Sequence, residues 1–335
     1  MKTKSAAKAT KRSPTRSPVT SGPSSRGTTP ALRLKRLLVT TDFSEESKLA
    51  LTHAAAFAER LGGEIALLHV VEPPPRFVGV ESLALISSGD ATMGRVLGGL
   101  EALAKQAFKP STRVTTHARP GHPARVITKT ARELETDLLI MATHGYSGLK
   151  HTLLGSTTER VIRNAPCPVL VIRSVDQKTS AKPGKTGAIQ RVIVATDFSD
   201  NSMMALPLAQ ALAKAFGAGL TLMHVVERVP IDPMLGQELT SAASRQLVER
   251  AQTRLAELAS SLRAEDGSKL DIAVRFGKPF DELARGAKEL DASLIVIATH
   301  GYSGIKHALL GSVAERVLRH APCPVLVVRE SNPTR

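Results

Sequence analysis

Apolar positions along this chain alternate between short continuous runs and longer stretches with a period near 3.6, and the whole series occurs twice. Residues 36–41 form a run suited to a central parallel strand, buried on both faces. Ser44 is placed to cap the helix that follows, with Glu45 and Glu46 in its first turn. Ala50, Ala54, Phe57 and Leu61 repeat at helical spacing, and Gly62 ends the helix. The pattern then predicts a strand over 64–71, a Pro-rich irregular stretch, a helix over 91–108 and a strand over 112–119. A helix over 122–135, a strand over 138–142, a helix from 156 and a last strand over 169–173 complete the series. Five strands joined by four crossovers make a doubly wound α/β unit with a parallel sheet flanked by helices. The second series follows the same plan, with Pro207 expected to kink its first helix.

The duplication is visible residue by residue. Leu37-Leu38-Val39-Thr40-Thr41-Asp42-Phe43-Ser44 returns as Val192-Ile193-Val194-Ala195-Thr196-Asp197-Phe198-Ser199, and His69-Val70-Val71-Glu72 as His224-Val225-Val226-Glu227. Gly121-His122-Pro123 returns as Gly277-Lys278-Pro279. The longest match is Ala142-Thr143-His144-Gly145-Tyr146-Ser147-Gly148, echoed as Ala298-Thr299-His300-Gly301-Tyr302-Ser303-Gly304. Repeats this long are duplicated domains, not solenoid units of roughly 20–50 residues. The expected division is a tail over 1–32, a first domain over 33–174, a linker over 175–188 and a second domain over 189–330. Gly184-Lys185-Thr186 in the linker looks like the end of a P-loop. The motif needs a Gly where Thr179 stands and a preceding strand, so the segment reads as linker.

Composition narrows the picture. Aromatic residues are 3% of the chain and Trp is absent, so the cores must be built from Leu, Val, Ile and Ala. No apolar run approaches the ~20 residues that span a bilayer. The start Met-Lys-Thr-Lys has no apolar stretch of the secretory kind. Two cysteines, Cys167 and Cys323, make no disulfide framework and fit a reducing, cytoplasmic setting as small buried hydrophobes. The net charge of +15 is concentrated in residues 1–36, which hold ten Lys or Arg and no acidic residue. This segment has almost nothing to bury, so its composition is that of a disordered tail. A contact with nucleic acid or another polyanion, phosphorylation at the Ser13-Pro14 and Ser17-Pro18 pairs, and a plain solvated tail all remain open readings, and a transit peptide lacks a convincing amphipathic stripe.

The chemistry sits after the fourth strand of each series. There Gly145 is followed after nine residues by Gly155-Ser156, and Gly301 after nine residues by Gly311-Ser312. Each Gly-Ser opens a helix, whose free N–H groups and dipole attract phosphate, beyond the C-terminal ends of the strands where open α/β sheets bind ligands. These glycines can equally be turn and cap residues. An Asp just past the first strand of both copies, Asp42 and Asp197, strengthens the binding reading.

With these motifs in view, both repeats resemble the universal stress protein family, from about Arg36 to Arg173 and from about Arg191 to Arg329. The resemblance rests on Thr-Asp-Phe-Ser, His-Val-Val, Gly-x-Pro, the Thr-His-Gly loop, Leu-Leu-Gly-Ser and the Ala-Pro-Cys-Pro-Val run into the last strand. It implies sheets of order 3-2-1-4-5, pairing through the fifth strand as an intramolecular pseudo-dimer with a higher homo-oligomer also open, and an adenine nucleotide, ATP first, in each domain. Carried over by position, Asp42 and Asp197 lie near the adenosine, and Val70 and Val225 offer backbone bonds to the adenine edge. Gly145, Gly155 and Ser156, with Gly301, Gly311 and Ser312, cradle ribose and phosphates. Thr40 and Thr41, Ala195 and Thr196, His144 and Gly148, and His300 and Gly304 complete the candidate sites. The family's nucleotide-binding pattern begins with a Gly, and this chain has Ala142 and Ala298 there, which narrows the approach. Thr157 and Thr158 stand opposite Val313 and Ala314, so the second copy lacks two hydroxyls and the first is expected to bind more tightly.

Other residues carry plainer expectations. The seven-residue spacing of His144 and His151, and of His300 and His307, lacks the further ligands of a metal site, so no metal is expected. His69 and His224 read as hydrogen-bonded structural groups. No catalytic triad or carboxylate pair stands out, so no enzyme is expected; a slow ATPase would have only Asp42 and Asp197 to work with. Two functions remain: a nucleotide-binding regulatory protein, or a nucleotide-free scaffold that engages partners through its basic tail.

Overall fold

The computed structural model describes residues 34–73, 84–143, 154–173, 188–227, 237–266, 270–299 and 310–329, without the side chains of 84–90, 237–241 and 263–266. The basic tail, most of the linker, His144, Gly145, Gly148, His151, His300, Gly301, Gly304 and His307 lie outside the described residues.

The first repeat runs β1 (Arg36–Thr40), α1 (Glu45–Leu61), β2 (Glu64–Val71), α2 (Ala84–Ala107), β3 (Val114–Pro120), α3 (Pro123–Glu133), β4 (Leu138–Ala142), α4 (Ser156–Asn164) and β5 (Val169–Ile172). The second runs β6 (Arg191–Ala195), α5 (Asp200–Met203), α6 (Ala205–Phe216), β7 (Gly219–Glu227), α7 (Gln237–Asp266), β8 (Leu270–Gly277), α8 (Pro279–Glu289), β9 (Leu294–Ala298), α9 (Ser312–His320) and β10 (Val325–Val328). The local signals account for most boundaries. Ser44 Oγ accepts from the Ser47 N–H at the start of α1, and Gly62 closes that helix at φ 61°. Helix α2 begins seven residues before the expected start, because segment 84–90 groups its apolar residues at Ala84-Leu85-Ile86 ahead of Ser-Ser-Gly-Asp and so shows no helical spacing. The kink expected at Pro207 is a break: α5 and α6 part at Met204, three residues before a proline whose nitrogen cannot bond back to the Met203 carbonyl.

The ten strands form one sheet in the order β3-β2-β1-β4-β5-β10-β9-β6-β7-β8. Each repeat is parallel with the order 3-2-1-4-5. The two halves meet where β5 pairs antiparallel with β10, Val169 opposite Val327 and Val171 opposite Val325. These four valines are at most 1% exposed, so a strand edge that would otherwise present free backbone groups is closed within the chain. Alternation along the strands sorts the core into two layers. Leu37, Val39, Leu170 and Ile172 face α1 and its counterpart α6, while Leu38, Val169 and Val171 face the layer holding α4 and α9. Both layers run across the two repeats, and Phe57 of α1 meets Phe216 of α6 with ring centroids 5.0 Å apart.

Candidate functional site

The candidate residues gather at the C-terminal ends of the strands, where the chain leaves β1 to β4 in the first repeat and β6 to β9 in the second. At the end of β1 the backbone turns at Phe43, whose φ of 65° is unusual for a bulky residue, and Phe198 repeats it at 64°. Side chains hold this turn in place. The Phe43 N–H donates to Thr41 Oγ1 at 3.0 Å, and the Ser44 N–H and hydroxyl donate to Asp42 Oδ1 at 3.1 and 2.5 Å. Thr196, Asp197, Phe198 and Ser199 make the same bonds at 3.0, 3.0 and 2.5 Å. His69 Nδ1 lies 2.8 Å from the Thr41 carbonyl and stacks its ring 4.8 Å from Phe43; His224 does the same with Thr196 at 2.8 Å and Phe198 at 4.5 Å. The histidines are therefore braces for the strained turn, and the turn fixes where each aspartate sits. Strain of this kind costs on the order of 1–3 kcal/mol and tends to persist at functional sites.

A second wall comes from the Gly-x-Pro turn. Gly121 has φ 135° and Gly277 φ 150°, conformations that only glycine adopts readily, and they swing the chain from β3 and β8 into Pro123 and Pro279 at the first positions of α3 and α8. The third wall is the start of α4 and α9. The Glu159 N–H bonds the Gly155 carbonyl at 3.0 Å, and Glu315 bonds Gly311 at 2.9 Å. Helix geometry then leaves the N–H groups of residues 156–158 and 312–314 with no acceptor inside their helices.

Two cavities result. The first, of about 480 Å³, is lined by Thr40, Thr41, Asp42, Val70, Ala142, Gly155, Ser156, Thr157 and Thr158 among the residues singled out from the sequence. The second, of about 400 Å³, is lined by Ala195, Thr196, Asp197, Val225, Ala298, Gly311, Ser312 and Val313. Every described candidate thus lines one of two cavities of the same kind. Sequence reasoning missed Glu72, Pro123, Ile127, Met141 and Thr143, and their counterparts Glu227, Pro279, Leu283, Ile297 and Thr299. Glu72, Thr143 and Pro123 lie inside repeated motifs and were findable there. Ile127 and Leu283 are helix residues whose only signal is the burial that folding gives them.

Two candidate residues do something other than expected. A Cβ on Gly155 would lie 2.7 Å from the Thr143 carbonyl oxygen, to which the Gly155 N–H donates at 3.1 Å. The glycine lets the helix start press against β4, which is a structural reason for its presence whether or not phosphate approaches. Thr158 is 3% exposed, and its hydroxyl lies 3.1 Å from the Ala142 carbonyl and 3.2 Å from the Thr143 carbonyl. Its one proton is given to the backbone, so it pins α4 to the end of β4 and does not supply the phosphate donor expected of it.

Burial lowers the pKa of His224; the bond to the Thr196 carbonyl and the charge of Asp197 work against it, and nearby Arg254 adds a smaller lowering. Burial also pushes the thiols of Cys167 and Cys323 up to about 12, which keeps them protonated and unreactive. Among the described residues no group of three His, Cys, Asp or Glu could hold a metal ion, and no helix is long and apolar enough to cross a membrane. The donor set of the cavities, helix N–H groups beside hydroxyls and an oriented carboxylate, fits a nucleotide: N–H groups for phosphate, carboxylate for sugar hydroxyls or base amine.

Comparison with known proteins agrees in extent with the internal repeat. The model of the Universal stress protein family matches residues 33–173 and again 188–329. A universal stress protein of Mycolicibacterium smegmatis is 28% identical over 311 residues, covering 88% of this chain and 96% of that protein. One from Methanocaldococcus jannaschii is 37% identical over 142 residues, 42% of this chain and 82% of the relative. Among solved structures, a universal stress protein from Archaeoglobus fulgidus superposes with a TM-score of 0.66 over 90% of this chain and 99% of its own, at 22% identity, a likeness of fold. Two copies of the family's domain in tandem, each with its own cavity, place this chain in the universal stress protein family.

Proposed function

We propose that the protein is a regulatory protein of the stress response that binds adenine nucleotide, ATP in the first instance, with one site in each of the domains 33–174 and 189–330. The observation that carries this reading is the duplicated cavity: in both repeats the start of a helix and an aspartate held by a strained turn face one space of about 480 or 400 Å³. That volume suits a small-molecule ligand, and both phosphate-attracting N–H groups and a sugar-binding carboxylate are on its walls. The role is binding and not catalysis, in the cytoplasm, with Asp42 and Asp197 as ligand-orienting groups. The basic tail over 1–32 contributes affinity for polyanions that falls steeply with salt.

A second reading, a nucleotide-free scaffold, draws its support from Ala142 and Ala298, which line the cavities where the family's nucleotide-binding pattern has glycine. Calorimetric titration of the full chain with ATP separates the two. The expected result is two ATP per chain, falling to one in Ser156→Glu and one in Ser312→Glu. Both serines are exposed, and an acidic side chain suits a helix start, so the fold is spared. A carboxylate about 4 Å from phosphate costs on the order of 4 kcal/mol at a protein surface, enough to remove that site from the titration. No heat of binding in the wild type would select the scaffold.

A further inference from the structure

Helices α4 and α9 present their N-termini to the cavities, and the C-terminus of each is held by an arginine from the opposite repeat. Arg329, directly after β10, directs Nη1 at the carbonyls of Ile162, at 3.4 Å, Ala165, at 3.5 Å, and Arg163, all at the end of α4. Arg173, directly after β5, donates from Nη1 to the Ala321 carbonyl at the end of α9, at 2.8 Å. Both side chains are half-buried at the seam between the repeats. A cation here satisfies carbonyls that the helix leaves free and complements the negative end of its dipole.

The same two segments also touch the cavity walls. The Thr143 N–H bonds the carbonyl of Ile172, the residue before Arg173, at 2.9 Å, and Thr143 lines the first cavity. The Thr299 N–H bonds the carbonyl of Val328, the residue before Arg329, at 3.0 Å, and Thr299 lines the second. Bonded contacts therefore run from one cavity wall, through an arginine, to the far end of the helix that opens on the other cavity, and back by the equivalent path. Each helix has nine residues, about 13 Å, so the end that the arginine holds lies within three turns of the end that opens on the cavity.

We infer that Arg329 and Arg173 are positioning residues that act crosswise, Arg329 setting the first nucleotide site and Arg173 the second. The inference rests on the nucleotide reading above. Helix α4 has an additional cap from its own repeat, Arg132 donating to the Asn164 carbonyl at 3.0 Å, so loss of Arg329 is felt at the first site less than it would be were it the lone cap.

The test is titration of the full chain with ATP on two backgrounds, Ser312→Glu to leave the first site and Ser156→Glu to leave the second. Arg329→Met is expected to weaken the first site about fivefold or more and to leave the second within twofold; Arg173→Met should do the reverse. Met keeps much of the buried stem, and Arg329→Lys and Arg173→Lys, which keep a charge and a donor, should recover most of the loss; where the Met variants do not fold, Arg329→Gln and Arg173→Gln, polar but uncharged and shorter, are read in their place and should show the same crosswise loss. General loosening of the seam would weaken both sites alike. Equal loss at both sites, loss confined to the arginine's own repeat, or no loss overturns the inference while leaving the nucleotide reading intact. Absence of ATP binding by the wild-type arginines on both backgrounds overturns the nucleotide reading, and this inference with it.

Discussion

The two repeats share the strained turn and differ in the residues packed around it. Thr41, Asp42, Phe43, Ser44 and His69 match Thr196, Asp197, Phe198, Ser199 and His224 bond for bond, including the positive φ at both phenylalanines. The departures lie elsewhere. Thr157 and Thr158 give way to Val313 and Ala314 at the helix start. Val126 in α3 gives way to Glu282 in α8, 6% exposed and paired with Arg275 and Arg285. Gly99, 3.5 Å by a would-be Cβ from the Phe43 ring, gives way to Arg254, whose guanidinium lies 4.4 Å from the centre of the Phe198 ring. The turn rests on bonds among neighbouring side chains that are the same in both copies. The residues packed around it differ, and they give two copies with one backbone two different surroundings.

The largest test of that contrast concerns a residue the copies share. Gly155→Ala places a Cβ against the Thr143 carbonyl, so it should destabilise the fold by about 1–3 kcal/mol with no nucleotide present, read as a lower midpoint in denaturant. An unchanged midpoint would return the glycine to a purely ligand-facing role. Next in size is the helix start. Thr157→Val should weaken the first site about tenfold, since a hydrogen bond to a charged group contributes roughly 1.5–3 kcal/mol, and Val313→Thr should strengthen the second. Thr158→Ala should leave ATP affinity unchanged and lower stability by about 1 kcal/mol, because its hydroxyl serves the backbone. If Thr158→Ala weakens binding as much as Thr157→Val, the hydroxyl reaches the ligand after all.

The smallest effect separates the two braces. Arg254→Gln, which keeps a good helix former in α7, should raise the pKa of His224 slightly, since burial is the main lowering cause and this cation a smaller one, and should remove about 0.5–1 kcal/mol of ring contact. Because the folded-state pKa of His224 lies below the unfolded one, its stability contribution is full above the unfolded pKa near 6.5 and is lost as pH falls towards the folded value. The variant should therefore hold its stability to a more acid pH in that window. Imidazole chemical shifts followed by NMR from pH 8 to 4 measure the first effect, and thermal melts at the same pH values measure the second.

The amino-acid sequence by itself determined the repeat, the order of strands and helices in each copy, and the ends of the strands where the candidate residues cluster. Those features are written in short-range patterns: the apolar run 36–41, Ser44 and Gly62 at the ends of α1, the Gly-x-Pro turns, and the paired Asp and Gly-Ser motifs. Even the disturbance at Pro207 was legible, as a kink that the structure makes a break at Met204, since its lost N–H is a local fact. Only the tertiary structure decided what each polar group is bonded to. Thr158 reads from the sequence as a phosphate donor and turns inward to two carbonyls of β4; Gly155 reads as room for a ligand and is room for the Thr143 oxygen. Arg173 and Arg329 read as charges ending a strand, and they cap helices 148 and 166 residues away in the chain. A pattern along the chain records which side chains are apolar and where the backbone can turn. A hydrogen bond or a close approach depends on which distant segment the folded sheet brings alongside, and antiparallel pairing of β5 with β10 is what brings those segments together.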